Sequence, residues 1–274
     1  MTASLTSALL AAVAGGVTTV ELGQPLFTGM PCSPNHPGFR MALARRHGDM
    51  VRPDGSSAAN EVLVTGGHVG THIDALAHVS YQGRLFGGVD AHEAQAGGRF
   101  SELGVDRIPP LVTRGVLLDV AATREVDSLP PGYGVTAQDL ADAARRAGVT
   151  PGEGDVALVR TGWARHFDDA DTYLGHDTGV PGVTEDGARW LAGLRVVATG
   201  TDTTAYEQIP AGEGHRLLPV HRLLLVERGI YLMEHLNLEA ASARGLTEFL
   251  FVVAPLRIVG GTGSPIRPFA VVDA

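Results

Sequence analysis

His68-Val69-Gly70-Thr71-His72-Ile73-Asp74-Ala75-Leu76-Ala77-His78 places three histidines and an aspartate within eleven residues, among glycine and small apolar neighbours. Neutral imidazole is a good ligand for divalent transition metals, and a carboxylate neutralises charge and can bridge two ions. The zinc-protease pattern His-Glu-x-x-His is absent, because Val69-Gly70-Thr71 separates His68 from His72. Gly66, Gly67 and Gly70 oppose a helix and favour a strand entered through a glycine-permitted bend. On extended backbone His72 and Asp74 share a face, since side chains alternate. Ala75-Leu76-Ala77-His78 is expected to open a helix that swings His78 back over the same site. The stretch is read as a metal site with an imidazole to spare for proton chemistry; the bland alternative is a scatter of surface histidines in a glycine-rich loop.

Outward from this stretch, apolar strands alternate with helices. Val17–Val20, Glu61–Val64, Val116–Asp119, Val156–Val159, Val196–Ala198 and Phe249–Val253 read as buried strands. Thr136 to Ala147 reads as a helix capped by Thr136, acidic at Asp139, basic at Arg145 and Arg146, and stopped by Gly148. A second helix begins at Thr184 and carries Trp190 and Leu191 as core residues. The mixture makes the chain α/β. Leu9-Leu10-Ala11-Ala12-Val13-Ala14 mimics the apolar part of a signal peptide, but no Lys or Arg precedes it. Leu5, Leu9, Ala12 and Val13 form a helical stripe ended by Gly15-Gly16, so residues 1–16 are expected to be a short helical arm packing on the body or on a neighbouring subunit.

The histidine stretch resembles the signature of the metal-dependent cyclase family, which includes bacterial kynurenine formamidases and isatin hydrolases and reads approximately His-x-Gly-Thr-His-x-Asp-x-x-x-His. Weaker matches run over most of the chain: Leu22-Gly23-Gln24-Pro25-Leu26, Gly29-Met30-Pro31, Gly154 to Trp163, Ala254-Pro255-Leu256-Arg257 and Gly260 to Pro265. The resemblance implies a single swivelling β/β/α domain over 1–274, with a mixed sheet and flanking helices. It implies that His68, His72 and Asp74 are metal ligands, with Asp74 able to bridge two ions, and that His78 is the catalytic acid/base. Val220-His221-Arg222-Leu223-Leu224 followed by Gly229 to Glu234 is similar to the family's distal ligand unit, which points to His221 and Glu234. Their interval is one residue longer than the family leads one to expect, and His235 and Glu239 stand nearby as substitutes. Read alone, His221 could be a solvated helix-start histidine and Glu234 a strand-end carboxylate paired with an arginine. The family also implies a homo-oligomer, dimer or tetramer, with loops crossing between subunits.

One departure bears on substrate. Kynurenine formamidases commonly carry a tryptophan shortly after Gly-Met-Pro, whereas Pro31-Cys32-Ser33-Pro34-Asn35-His36 has no such aromatic, and an insertion-like region follows over 35–57. Kynurenine is thereby disfavoured as a substrate body. Phe27, His36, Phe39, Tyr81 and Phe86 are pocket candidates or core, His92 and His215 are outer groups or surface, and Arg257 is read as structural.

Composition bounds the rest. A chain of 274 residues, 44% hydrophobic and 19% charged, is long enough for one large core, and no charge run or low-complexity linker divides it. The formal net charge of −9 argues against nucleic acid or an anionic membrane as partner. The single cysteine, Cys32, forms no internal disulfide, which suits a reducing cytoplasm. No Gly-x-Ser-x-Gly supports a serine hydrolase, Gly260 to Pro265 lacks the Gly-Lys-Ser/Thr ending of a phosphate loop, and no Gly-x-Gly-x-x-Gly follows a strand. What remains is a metal-dependent hydrolase using water against the C–N bond of an amide, formamide, lactam or cyclic imide. The same site could instead serve a cyclase, lyase or dehydratase, or a metal-binding protein without turnover. The ion is zinc or manganese, with iron also compatible, as one or two equivalents, and the partner is a small-molecule substrate.

Overall fold

The structure is a computed structural model, and it describes residues 5–274, with Leu5 described by its backbone alone. The first four residues of the expected arm and the Leu5 side chain lie outside the described residues. Nine strands form one mixed sheet in the order β1, β13, β11, β5, β7, β9, β10, β4, β12. They run β1 Val17–Glu21, β4 His72–Asp74, β5 Leu111–Asp119, β7 Val156–Arg160, β9 Ala198–Thr201, β10 Tyr231–Glu234, β11 Glu248–Val253, β12 Gly263–Pro265 and β13 Phe269–Asp273. Two small sheets pair β2 Arg40–Arg45 with β3 Asn60–Val64 and β6 Gly134–Val135 with β8 Gly182–Val183. β5, β7, β9 and β10 are parallel; antiparallel strands extend the sheet on both sides.

The central strands are apolar on both faces because the sheet is covered on both. Val116 and Leu118 of β5, with Ala157 and Val159 of β7, pack among the helices on one face. Leu117, Val156 and Leu158 face the opposite cluster with Phe251 and Met233. Burying each such side chain is worth about 1.5–3 kcal/mol. The helix Ala137–Ala147 is built as its sequence predicts: Thr136 and Asp139 form a reciprocal capping box, and Gly148 closes it at φ +68°. The helix Glu185–Gly193 packs against it.

Five expectations change. Of Val17–Val20, expected to be a buried strand, only Val20 is buried, because β1 is an edge strand of the sheet. Glu61–Val64 is a strand but not a buried one, because β2 and β3 form a hairpin whose strand residues are all exposed. The N-terminal helix Leu5–Gly15 forms, but its described side chains leave Leu9, Leu10 and Val13 in solvent rather than packed on the body. The strand expected at Val196–Ala198 lies at Ala198–Thr201. Ala75–His78 is a turn closed by His78 N–H donating to Ala75 O, because Ala75 and Ala77 donate to Thr262 O and Leu103 O of other segments instead of building a helix. His221 ends a short turn, Pro219–His221, that runs into a π-helix at Arg222–Arg228. Such π turns recur at functional sites.

Candidate metal centre

The site is made by pairing β4 with β10, which sets His72 opposite Glu234 and Asp74 opposite Leu232. The approach to β4 turns at Gly70, where φ is +64° and an added Cβ would fall 2.5 Å from Leu26 Cδ2. Thr71 then locks the strand: its hydroxyl donates to His235 O at 2.6 Å and accepts from Gln24 N at 2.7 Å. His72 donates through Nδ1 to Gly70 O at 2.8 Å, which leaves Nε2 free to face inward.

Four buried side chains converge. His72 Nε2 lies 3.4 Å from Asp74 Oδ1 and 3.4 Å from Glu234 Oε2. His221 Nε2 lies 3.1 Å from Glu234 Oε1 and 3.6 Å from Asp74 Oδ2. Ligands about 2.0–2.1 Å from a tetrahedral ion stand roughly 3.3 Å apart, close to these separations, and the side chains fall into two groups able to hold a cation, Asp74 with His221 and Glu234, and His72 with Glu234 and His235. Asp74 Oδ2 and Glu234 Oε1 are buried without any hydrogen-bond partner. Buried carboxylate oxygens without donors are costly, and a cation between them removes that cost. The donor set of two imidazoles and two carboxylates, with no thiolate, fits a divalent ion.

Glu207, which the sequence reading missed, orders the far side of the cage. It is buried, accepts Val220 N–H and His221 N–H at 3.0 Å each, and accepts His221 Nδ1 at 2.6 Å. This fixes Nε2 as the inward atom of His221. The residue stands in Ala205-Tyr206-Glu207-Gln208-Ile209, where nothing in pattern or spacing singles it out.

His68 and His78 stand to one side. Their rings stack with centroids 3.9 Å apart, and His36 stacks on the other side of His68 at 5.4 Å. His68 Nδ1 is 2.7 Å from Asp74 Oδ1 and Nε2 is 2.9 Å from Thr262 Oγ1. An added Cβ on Gly263 would fall 2.4 Å from the His68 ring, so only glycine permits this approach of β12. His68, Asp74 and His78 form a further group able to hold a cation, which shares Asp74 with the group of His221 and Glu234.

The titrations follow from burial and neighbours. Burial opposes a charged His221, but the carboxylates of Asp74, Glu207 and Glu234 around it outweigh that and raise its pKa well above the ordinary value. His72 is raised in the same way, against burial, by Asp74 and Glu234. Burial pushes His78 down to about 3, against the pull of Asp74 and helped by the surrounding imidazoles, so it is neutral at neutral pH. His235 is also held well below its usual value, chiefly by burial.

Of the substitutes, His235 joins His72 and Glu234 in a group able to hold a cation and stands 3.1 Å from Tyr173 Oη, while Glu239 lies elsewhere, paired with Arg160 at 2.7 Å. His36 and His215 line the cavity. Phe39 is core, Phe86 is packed against the main core, and Phe27, Tyr81, His92 and Arg257 are exposed. Cys32 is half-buried, and burial raises its thiol pKa.

The cage opens into a cavity of about 210 Å³, and a chamber of about 170 Å³ adjoins it, sharing Ser33, Asn35, Thr204 and His215. Among the described residues no helix is long and apolar enough to cross a membrane.

Comparison with known proteins finds relatives in sequence and in fold. Isatin hydrolase of Roseibium aggregatum is 31% identical over 222 residues, spanning 80% of this chain and 77% of the relative. A crystal structure described as a novel cyclase is similar with a TM-score of 0.83 at 27% identity, covering 95% of this chain and 91% of that one. An isatin hydrolase bound to the product analogue thioisatinate gives 0.75 at 26% identity, with both chains covered completely. Residues 20–208 match the Cyclase family model. That match takes in β4 and the cavity wall as far as Glu207, and by it the chain belongs to the Cyclase family of enzymes.

Proposed function

We propose that this chain is a metal-dependent amidohydrolase that cleaves the C–N bond of an amide, formamide, lactam or cyclic imide. The observation that carries the reading is the pair of partnerless oxygens, Asp74 Oδ2 and Glu234 Oε1, both facing the oriented His221 Nε2, with His72 Nε2 beside the sister oxygens Asp74 Oδ1 and Glu234 Oε2. His72, Asp74, His221 and Glu234 hold the ion, and His68 with Asp74 offers a place for a second. Zinc or manganese suits these donors. A bound divalent ion polarises a carbonyl and lowers the pKa of water to about 7. His78, neutral and beside the cage, takes a proton from the attacking water and returns it to the departing nitrogen. The water oxygen joins the carbonyl carbon, the C–N bond breaks, and the products are a carboxylic acid and an amine, or a carboxylic acid and an amide where the substrate is an imide. His68, stacked on His78, orients that ring. Isatin hydrolase among the relatives supports hydrolysis of a cyclic amide.

A homodimer is the assembly this reading includes. A two-stranded hairpin is marginal in water, and here Leu63 is 56% and Val64 55% exposed. A second copy supplies the cover these side chains lack. With its single cysteine the enzyme is read as cytoplasmic.

The test is elemental analysis followed by turnover of amides and imides in ¹⁸O-labelled water. One or two equivalents of metal, with labelled oxygen in the carboxylic acid and products that together exceed the substrate by one water, is expected. Turnover without net uptake of water would replace hydrolysis by cyclisation or elimination.

A further inference from the structure

The chamber beside the cage has a character of its own. Pro34, Leu174 and Ile209 give it an apolar wall, and Ser33, Asn35 and Thr204 supply hydroxyl and amide groups where it meets the metal cavity. Thr204 Oγ1 lies 3.4 Å from His235 Nε2 at that junction. His235 holds its place through a left-handed backbone at φ +54°, with its N–H donating to Thr203 O and its carbonyl accepting from Thr71. A non-glycine residue keeps such a conformation only where its surroundings impose it, and these positions cluster at functional sites.

The lining is short of two things. The chain has no lysine, and none of its arginines lines either space among the described residues. The nearest in sequence, Arg216, pairs with Glu213 at 2.7 Å. The acid in the lining is Glu234, which belongs to the cage. A substrate carboxylate would therefore be desolvated without a cation of the protein to meet it. Among the described residues no phenyl, phenol or indole ring lines either space, so an aromatic substrate body would meet only the smaller, polar imidazoles of His176 and His215 in the chamber, while its apolar wall is aliphatic.

Resting on the amidohydrolase reading, we propose that the substrate is a compact, uncharged, aliphatic amide or imide. Its reacting carbonyl faces the cage, a second neutral polar group meets Thr204 and Asn35, and its saturated body fills the chamber against Leu174 and Ile209. This specificity differs from the aromatic cyclic amide named for the isatin hydrolase relatives.

Calorimetry on the metal-loaded protein tests it with three probes: glutarimide, isatin and N-formylglycine. Glutarimide is expected to bind at least tenfold more tightly than the other two. Leu174→Trp, which fills the chamber, should weaken glutarimide at least tenfold with metal content unchanged, since one methylene in an apolar pocket is worth roughly 10–200-fold. Asn35→Arg changes an exposed side chain, so folding is not at risk, and should strengthen N-formylglycine binding at least tenfold. Tighter binding of isatin or N-formylglycine by the wild type overturns the proposal, as does failure of glutarimide to bind. An unchanged glutarimide affinity in a folded Leu174→Trp does the same, and an Asn35→Arg variant indifferent to N-formylglycine removes the charge argument. Turnover is read separately. Binding of glutarimide without ring opening would sink the amidohydrolase reading and leave the chamber standing, whereas hydrolysis of all three probes without preference would do the reverse.

Discussion

The metal cage and the hairpin of β2 and β3 are close neighbours along the chain, His68 following Val64 by four residues, yet each is incomplete in the opposite sense. In the cage, carboxylate oxygens are buried without donors. On the hairpin, Met41, Leu43, Val62, Leu63 and Val64 are apolar and exposed. The first deficit is charge and calls for an ion; the second is surface and calls for protein. Uncompensated burial of a charge costs several kcal/mol, while covering one Leu or Val yields about 1.5–3 kcal/mol. The cage is therefore the more intolerant of the two, and single substitutions should reveal it.

The largest effect is expected at Asp74, which serves both proposed cation positions. Asp74→Ala should reduce bound metal to background by elemental analysis and abolish turnover; full metal content in this variant would place the ion elsewhere. His78→Ala should keep the metal of the cage and lose on the order of 10²–10⁴ in kcat. Wild-type kcat would remove its role as acid and base. Glu207→Gln keeps an acceptor for His221 but not the charge, and chelator competition should show metal affinity lower by about 10–100-fold. An unaltered affinity would make Glu207 a support of the backbone alone.

At the hairpin, Leu63→Arg should raise the dimer dissociation constant at least tenfold in sedimentation, about 1.4 kcal/mol or more, within the range for covering one leucine. Metal content should stay at the wild-type level. A parallel loss of metal would break the separation between the two regions. The smallest effect concerns pH. In the metal-free protein the raised pKa values of His72 and His221 contribute stability that is complete below the unfolded value near 6.5. It is lost as pH rises through the folded values. An ion must displace those protons, so its affinity grows over the same interval. The gap in Tm between metal-loaded and metal-free protein should thus widen from pH 6.5 to 9, and a constant gap would separate these imidazoles from the metal.

Much of this site was legible in the sequence because its spacing is short-range. His72 and Asp74 share a face by the period of a strand, and the capping box at Thr136 and Asp139 is a local pattern. His221 and Glu234 were reached through family resemblance; their meeting depends on sheet order, which no local period encodes. Glu61–Val64 misled because an apolar run declares that it wants cover without saying from what. Ala75–His78 misled because helix propensity yielded to hydrogen bonds with Thr262 and Leu103. The strand Ala198–Thr201 hid behind its threonines, which are buried because Thr199 Oγ1 donates to Ala157 O at 2.9 Å and Thr201 pairs with Thr203. Glu207 gave no signal, since its partners come from the backbone at Val220 and His221.

The opposition of His72 to Glu234 in the β4 and β10 pair has a consequence for how the molecule is made. These residues come from opposite halves of the chain, so no local fragment assembles the cage, and the last long-range pairing must close before the four proposed ligands meet. An ion can thus recognise only the finished sheet. By mass action it draws the chain toward that state. Metal supply in the growth medium should then govern how much folded enzyme accumulates, before any question of turnover arises.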